Sequence, residues 1–344
     1  MAGGQERILR RRIKSIRSTQ KITKAMELIA GSQIVRAQGR IAAARPYQEG
    51  MARVVLETAL GDPTAAGRLL GTPENITRVL VLSIVADRGL CGGYNTTVFR
   101  TTERLVASLV AQGTEVRLVT VGKKAQGYFR FRGQDVDKSF LGMSERPSFV
   151  HAREVAAAAV TPFVNGEVDQ VIVVSTRFLS AGSQKVETRQ LLPLVDPRDA
   201  DEKVGHEDEP GVSRNIAPHE DPVRMGYTEF EPDAGILLAD LAPRAAETQI
   251  FAALLEASAS ELTARQRAMH AATENAGELI KKYSRIMNRA RQDTITTEIM
   301  EIVGGAEAMS ADKGSAHELI PSHLEPQHAF PVHLDRTDHA PSIH

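Results

Sequence analysis

Apolar residues recur on alternating steps of four and three at both ends of this chain, with unbroken β-branched runs between them. From about Gln5 to Leu60, residues Leu9, Ile13, Ile16, Ala30, Ile34, Ala37, Ile41 and Ala44 keep that rhythm, which places them on one face of a helix. Between Ile16 and Ala30 the same register holds Gln20, Thr23 and Glu27, and the apolar stripe steps over to Ile22, Met26 and Ile29. A stripe that drifts in this way predicts a coiled coil with irregular packing rather than a strict zipper. The small residues Ala30, Ala37 and Ala44 admit close approach of a partner helix. Pro46 is expected to kink the helix or to start a new one, and Gly61-Asp62-Pro63 and Gly71-Thr72-Pro73 to end it.

The second periodic segment, from about Pro232 to Ser310, is longer. Leu255, Ala259, Leu262, Gln266, Met269, Thr273, Ala276, Ile280, Tyr283, Met287 and Ala290 follow the same rhythm almost without fault, and no Pro occurs there after Pro243. About 65 residues at 1.5 Å each make a rod of roughly 100 Å, too long for one small domain. Its stripe is rich in Ala, Thr and Gln, so its own burial energy is modest and it needs a partner. The N-terminal helix supplies one. The expected arrangement is a long antiparallel coiled coil in which the later helix outruns the earlier at its C-terminal tip.

The chain between the helices has another texture. Val79-Leu80-Val81-Leu82-Ser83-Ile84-Val85, Leu118-Val119-Thr120-Val121 and Val171-Ile172-Val173-Val174 read as strands buried on both faces. Helical stretches near 97–112 and 150–164 separate them, and 186–194 offers a further strand. Such alternation predicts a mostly parallel, Rossmann-like α/β domain. The expected division is therefore 1–62 for the first helix, 76–232 for the α/β domain, 233–310 for the second helix and 311–344 for a tail. Residues 196–221 read as a flexible acidic insertion. The tail carries six of the ten histidines (His317, His323, His328, His333, His339 and His344) without the spacing of a strong metal site, and is expected to be disordered.

Composition narrows the function. Aromatic content is 4% with no Trp, which suits closely packed long helices better than a large core. One cysteine, Cys91, rules out an intrachain disulfide, and no apolar run approaches the ~18 residues of a membrane span. Any membrane contact is expected to be peripheral. The net charge of −1 conceals a crowd of Arg7, Arg10, Arg11, Arg12, Lys14, Arg17, Lys21 and Lys24, opposed only by Glu6. This cluster reads either as a solvated helix face or as a contact for acidic partner surfaces. Nucleic acid fits it less well, because no aromatics are interleaved to stack on bases.

Candidate catalytic chemistry is thin. Asp87-Arg88-Gly89-Leu90-Cys91-Gly92-Gly93-Tyr94-Asn95 follows the first strand, where a dinucleotide loop would sit, but its glycines lack that spacing. It reads as a tight structural turn, and Cys91 as a packed small residue. Gly133–Ser139 places Asp137 where a phosphate loop needs its second glycine. No catalytic residue, cofactor or metal is expected, and the chain alone should neither bind ATP tightly nor hydrolyse it. Arg289–Ala306 carries polar residues on several faces, as a solvated helix would, or one lying in a channel made by other subunits.

Five motifs in order carry a resemblance. Gln20-Lys21-Ile22-Thr23-Lys24-Ala25-Met26-Glu27, Asp87-Arg88-Gly89-Leu90-Cys91-Gly92-Gly93, Gln190-Leu191-Leu192-Pro193-Leu194, Ala271-Ala272-Thr273-Glu274-Asn275 and Ile299-Met300-Glu301-Ile302-Val303-Gly304-Gly305-Ala306 closely resemble the gamma subunit of F-type ATP synthases. The likeness runs from the first residues to about Ser310 and begins without a presequence, as in bacterial members. It implies a non-catalytic central stalk that turns inside a hexamer of alpha and beta subunits. The family's α/β foot meets the epsilon subunit and the membrane c-ring of a proton-translocating enzyme. It implies peripheral attachment on the cytoplasmic side of the cell membrane. By similarity, Lys21, Lys24 and Met26 lie at the bearing next to beta, and Arg291, Gln292, Thr296, Glu298 and Glu301 on the facing helix. The loop of Asp87, Arg88, Gly89, Cys91, Gly92 and Gly93 falls in the foot. The resemblance also favours the partner-contact reading of the basic cluster. The competing readings are a structural coiled-coil adaptor, which would show a strict apolar stripe, and a nucleotide-dependent enzyme, which would need a phosphate loop.

Overall fold

The structure, a computed structural model, describes residues 2–61, 75–194 and 230–314. Gly71-Thr72-Pro73, the 196–221 insertion and tail residues 315–344 lie outside the described residues. In chain order the elements are α1 (Ala2–Gly61), β1 (Arg78–Ile84), α2 (Tyr94–Ala111), β2 (Glu115–Val121), α3 (Lys123–Phe131), β3 (Lys138–Phe140), α4 (Phe149–Val164), β4 (Gln170–Phe178), β5 (Gln184–Leu192) and α5 (Ala234–Gly314). They form two compact units, one of residues 15–280 and one of the helix ends, 1–14 with 281 onward.

The strands make one sheet in the order β3-β2-β1-β4-β5. Pairing is parallel except for β4 with β5. Alternation along β1 decides which helices cover each face. Leu80, Leu82 and Ile84 turn toward Ala152, Val155, Ala159 and Phe163 of α4, and toward Leu238, Ala242, Ile250 and Leu254 of α5. Val79, Val81 and Val85 face the other way, onto Val98, Phe99 and Val106 of α2 and Ala125 and Phe129 of α3. With helices on both faces, residues 79–84 of β1, 118–121 of β2 and 171–174 of β4 are buried, which is why they read as continuous apolar runs. Val186–Leu194, expected as a strand, lies largely within β5. The short α3 and β3 were not visible in the pattern.

Within the larger unit α1 and α5 lie side by side with opposite chain direction. Gln20 bonds to Thr273, Glu27 to His270, and Ile34 and Ala37 pack on Ala259 and Leu262. Every residue of the predicted α5 stripe from Leu255 to Ile280 is buried or half-buried. The drift expected in α1 does not occur. Ile22 and Ile29 are 58% and 57% exposed, while Thr23 is buried and Gln20 and Glu27 are half-buried. The original register persists because its polar members find partners across the seam. Gln20 Nε2 donates to the Thr273 carbonyl (3.3 Å), Thr273 Oγ1 to Thr23 Oγ1 (2.8 Å), and the His270 ring meets Glu27 Oε1 (3.2 Å). Glycines make room for the long amides: a Cβ on Gly31 would stand 3.2 Å from Gln266 Nε2, and one on Gly277 3.1 Å from Gln20 Nε2.

Pro46 likewise does not divide the N-terminal helix, since α1 runs through it to Gly61. A proline removes one backbone donor, and here its ring lies on the exposed side, with the rest of α1 left helical.

In the smaller unit, Arg12 stacks over the Tyr283 ring at 4.9 Å and Ile13 is buried. The α5 stripe continues half-buried through Tyr283, Met287, Ala290 and Thr294, and every residue from Ile295 to Ser310 is exposed.

Candidate partner-binding surfaces

The clustered basic residues of α1, from Arg7 to Lys24, are all exposed. Arg10 pairs with Glu6 at 2.6 Å, one helical turn away, and Lys24 with Glu27 at 3.0 Å. Such exposed pairs contribute at most about 1 kcal/mol each, so the cluster stabilises the helix little. Its charge remains available to a partner. Lys24 and His270 together hold the Glu27 carboxyl below the usual carboxylate range, the Lys24 hydrogen bond being the larger cause. Met26 is half-buried beside them, and Lys21 points to solvent.

The terminal stretch of α5 has a different surface. Arg291, Gln292, Thr296, Glu298 and Glu301 are exposed, together with Ile295, Ile299, Met300, Ile302 and Val303. Thr294, Thr296 and Thr297 return their hydroxyls to the carbonyls one turn back, so their outer faces present methyl groups. Mixed apolar and charged residues thus surround the helix on all sides. A helix polar on its outside and apolar on one stripe would be explained by its own chain; this one is not.

The loop after β1 is built for internal contact. Asp87 Oδ1 accepts from the backbone N–H groups of Lys123 (3.0 Å) and Gly142 (2.9 Å), and Oδ2 from that of Ser144 (3.0 Å). One carboxylate therefore joins the ends of β1, β2 and β3. Burial pushes its pKa up, but the bonds from Gly142, Ser144 and Lys123 outweigh that and leave it lowered. Farther along, Leu90 and Gly92 take positive φ, Cys91 is buried against Ala86, Tyr94 and Ala264, and Tyr94 donates to the Ala257 carbonyl at 3.2 Å.

In open α/β sheets, ligands bind beyond the carboxyl ends of the strands where strand order reverses, here between β1 and β4. That crevice is filled by the chain itself. Ala86, Cys91 and Tyr94 beyond β1 pack on Ala264 of α5, and Phe178 at the end of β4 packs among Ala259, Leu262, Ile34 and Ala37. A nucleotide would have to displace the helix pair.

A family model for ATP synthase matches residues 5–309. The ATP synthase gamma chain of Frankia casuarinae is 45% identical over 90% of this chain and 99% of its own length. That of Mycolicibacterium vanbaalenii is 43% identical over 89% and 98%. The chain belongs to the ATP synthase gamma chain family. Its fold also resembles a chain in the cryo-EM structure of the Euglena gracilis mitochondrial ATP synthase (OSCP/F1/c-ring), with a TM-score of 0.60, 19% identity and 94% and 99% coverage. A chain of the Tetrahymena thermophila mitochondrial ATP synthase central stalk and c-ring gives 0.53, 24%, 73% and 99%.

The residues singled out on this gamma chain fall in separate places. Lys21, Lys24 and Met26 lie on α1 in the larger unit, where Lys24 and His270 both meet Glu27. Arg291, Gln292, Thr296, Glu298 and Glu301 lie in the smaller unit. Of the loop, Arg88 is exposed and pairs with Glu145 at 3.2 Å, while Asp87, Gly89 and Cys91 turn inward. Sequence reasoning missed Glu261 and Arg265, a buried ion pair at 2.6 Å behind this loop. Two charges four apart on a helix read as a solvated pair, and no pattern in the chain marks them otherwise.

Asp87→Asn places an amide N–H₂ against one of three backbone donors and is expected to destabilise the gamma chain by about 1–3 kcal/mol in urea unfolding. Because the folded pKa of Asp87 is lowered, its contribution is present above the unfolded carboxyl pKa and lost as pH falls through the folded value. The difference between Asp87→Asn and wild type should therefore narrow on acidification below about pH 4.

Proposed function

We propose that this chain is the central rotor stalk of an ATP synthase, coupling rotation of a membrane ring to conformational change at catalytic sites on other subunits. It is a non-catalytic subunit. The observation that carries the reading is the span of the family match, which includes both long helices and the sheet between them. A single asymmetric shaft inside a ring of like sites presents a different face to each. Those contacts differ between the open and closed forms of a site, so turning the shaft shifts their populations in sequence.

In this proposal α1 and α5 wind as a long antiparallel coiled coil, and the sheet with α2, α3 and α4 is a Rossmann-like foot. The domain boundaries are those read from the sequence, 1–62, 76–232 and 233–310. Lys21, Lys24 and Met26 on α1, and Arg291, Gln292, Thr296, Glu298 and Glu301 on α5, bear on the alpha and beta subunits. The exposure of all of these but Met26, and the excess of positive charge on α1, support that assignment. The foot meets the epsilon subunit and the c-ring, and the chain is held peripherally on the cytoplasmic side of the cell membrane. No helix among the described residues is long and apolar enough to cross a membrane.

Affinity capture of the tagged chain from detergent-solubilised membranes tests the reading. Alpha, beta and c subunits with ATP hydrolysis should come with it. Recovery of the chain as a self-oligomer without them would favour the adaptor. Within the assembled complex, Lys21→Glu should lower ion pumping per ATP while leaving the helicity of the isolated chain unchanged, because Lys21 has no partner within the described helices whose loss would unfold them. Lost helicity with normal pumping would contradict the assignment.

A further inference from the structure

The geometry points to Arg265, held by Glu261, as a positioning residue that fixes the rotational setting of α5 against the loop after β1. This inference rests on the stalk function proposed above. Glu261 and Arg265 are 1% and 7% exposed and stand one turn apart on α5. Arg265 Nη2 donates to Glu261 Oε1 at 2.6 Å and lies 3.4 Å from the Gly89 carbonyl oxygen. The guanidinium thus links the helix to the loop through a directional bond.

The surrounding contacts repeat along the same strip of α5. Tyr94 bonds the Ala257 carbonyl, Ser258 Oγ donates to the Glu145 carbonyl at 3.0 Å, and Ala264 packs on Cys91. A Cβ on Gly92 would stand 3.6 Å from that of Ala268. A second strip, formed by Ala259, Leu262, Gln266 and Met269, faces α1. Apolar contacts alone would let the helix roll in small increments, since they have no preferred direction. A buried charge pair is a poor way to gain stability, because well-packed apolar residues often serve as well. Its use here is to admit one setting of the helix. A shaft that transmits torque to the foot needs that property.

The test uses the assembled complex in membrane vesicles carrying Glu261→Leu with Arg265→Met, which removes both charges and the bond to Gly89 while keeping the volume filled. The lock predicts an intact complex with ATP hydrolysis retained and ion pumping per ATP lowered about fivefold or more, the scale of typical coupling effects. Wild-type pumping per ATP in this variant would overturn it. Where the double variant does not assemble, Arg265→Lys keeps a cation for Glu261. Its shorter head cannot serve Glu261 and Gly89 together, so pumping per ATP should again fall, and an unchanged ratio there would equally overturn the lock. If the wild-type chain brings down no ATP hydrolysis, the stalk function itself fails, which is a separate result.

Discussion

Replacing Gly122 by Ala should destabilise the isolated chain by about 3 kcal/mol from backbone strain alone, the upper end for a residue in a glycine-only region. Gly122 has φ +100° and ψ 137° at the turn from β2 into α3. An added Cβ would lie 2.9 Å from the Ala86 carbonyl oxygen and closer still to that of Val85. Both neighbours are backbone at the end of β1, tied in turn by the bond from the Val85 N–H to the Val121 carbonyl. They cannot move aside as a side chain would. The same junction receives the Asp87 carboxylate at Lys123, so the displacement spreads to the loop that docks on α5. Gly127, inside α3 with open space around it, is the control. Its replacement by Ala should stabilise by up to about 1 kcal/mol through helix propensity. Urea unfolding of the two variants separates the effects by sign.

Arg265→Ala in the isolated chain should cost about 3–5 kcal/mol, the range for removing one partner of a buried ion pair. The loss exceeds that of the apolar double variant because Glu261 would be left without its cation. Burial already raises the Glu261 pKa, with Arg265 opposing it, and removing the arginine leaves burial unopposed by that charge. A carboxyl with a raised folded pKa stabilises most below its unfolded value, and the stability is lost as pH rises through the folded value. The deficit of Arg265→Ala should therefore be largest near neutrality and shrink as the pH is lowered toward the ordinary carboxyl pKa. A deficit independent of pH would mean that Glu261 finds another partner.

What the sequence disclosed follows from which residues face which environment. The α5 stripe was legible through Met287 and Ala290 because the seam it enters buries nearly every fourth and third residue. The β1 and β4 runs were legible because helices cover both faces of the sheet. In α1 the pattern misled, since hydrophobicity and burial part company there. Ile22 and Ile29 point outward, while Gln20, Thr23 and Glu27 occupy the seam and are bonded there to Thr273 and His270. Periodicity counts apolar side chains and cannot see hydrogen bonds to a helix some 250 residues away in the chain. The short α3 and β3 escaped for lack of length. The function of Asp87 was hidden because its three partners are backbone groups brought there only by the sheet. The Glu261–Arg265 pair was hidden because identical spacing on an exposed helix would mean little.

Rotation of the chain within the complex tests the central claim most directly. With the alpha and beta subunits immobilised, a probe attached through a cysteine at position 131, where Phe131 is 87% exposed at the end of α3, reports the motion. The stalk predicts unidirectional turns that start on addition of ATP and stop when it is exhausted. A probe that stays still while the same complexes hydrolyse ATP would contradict it.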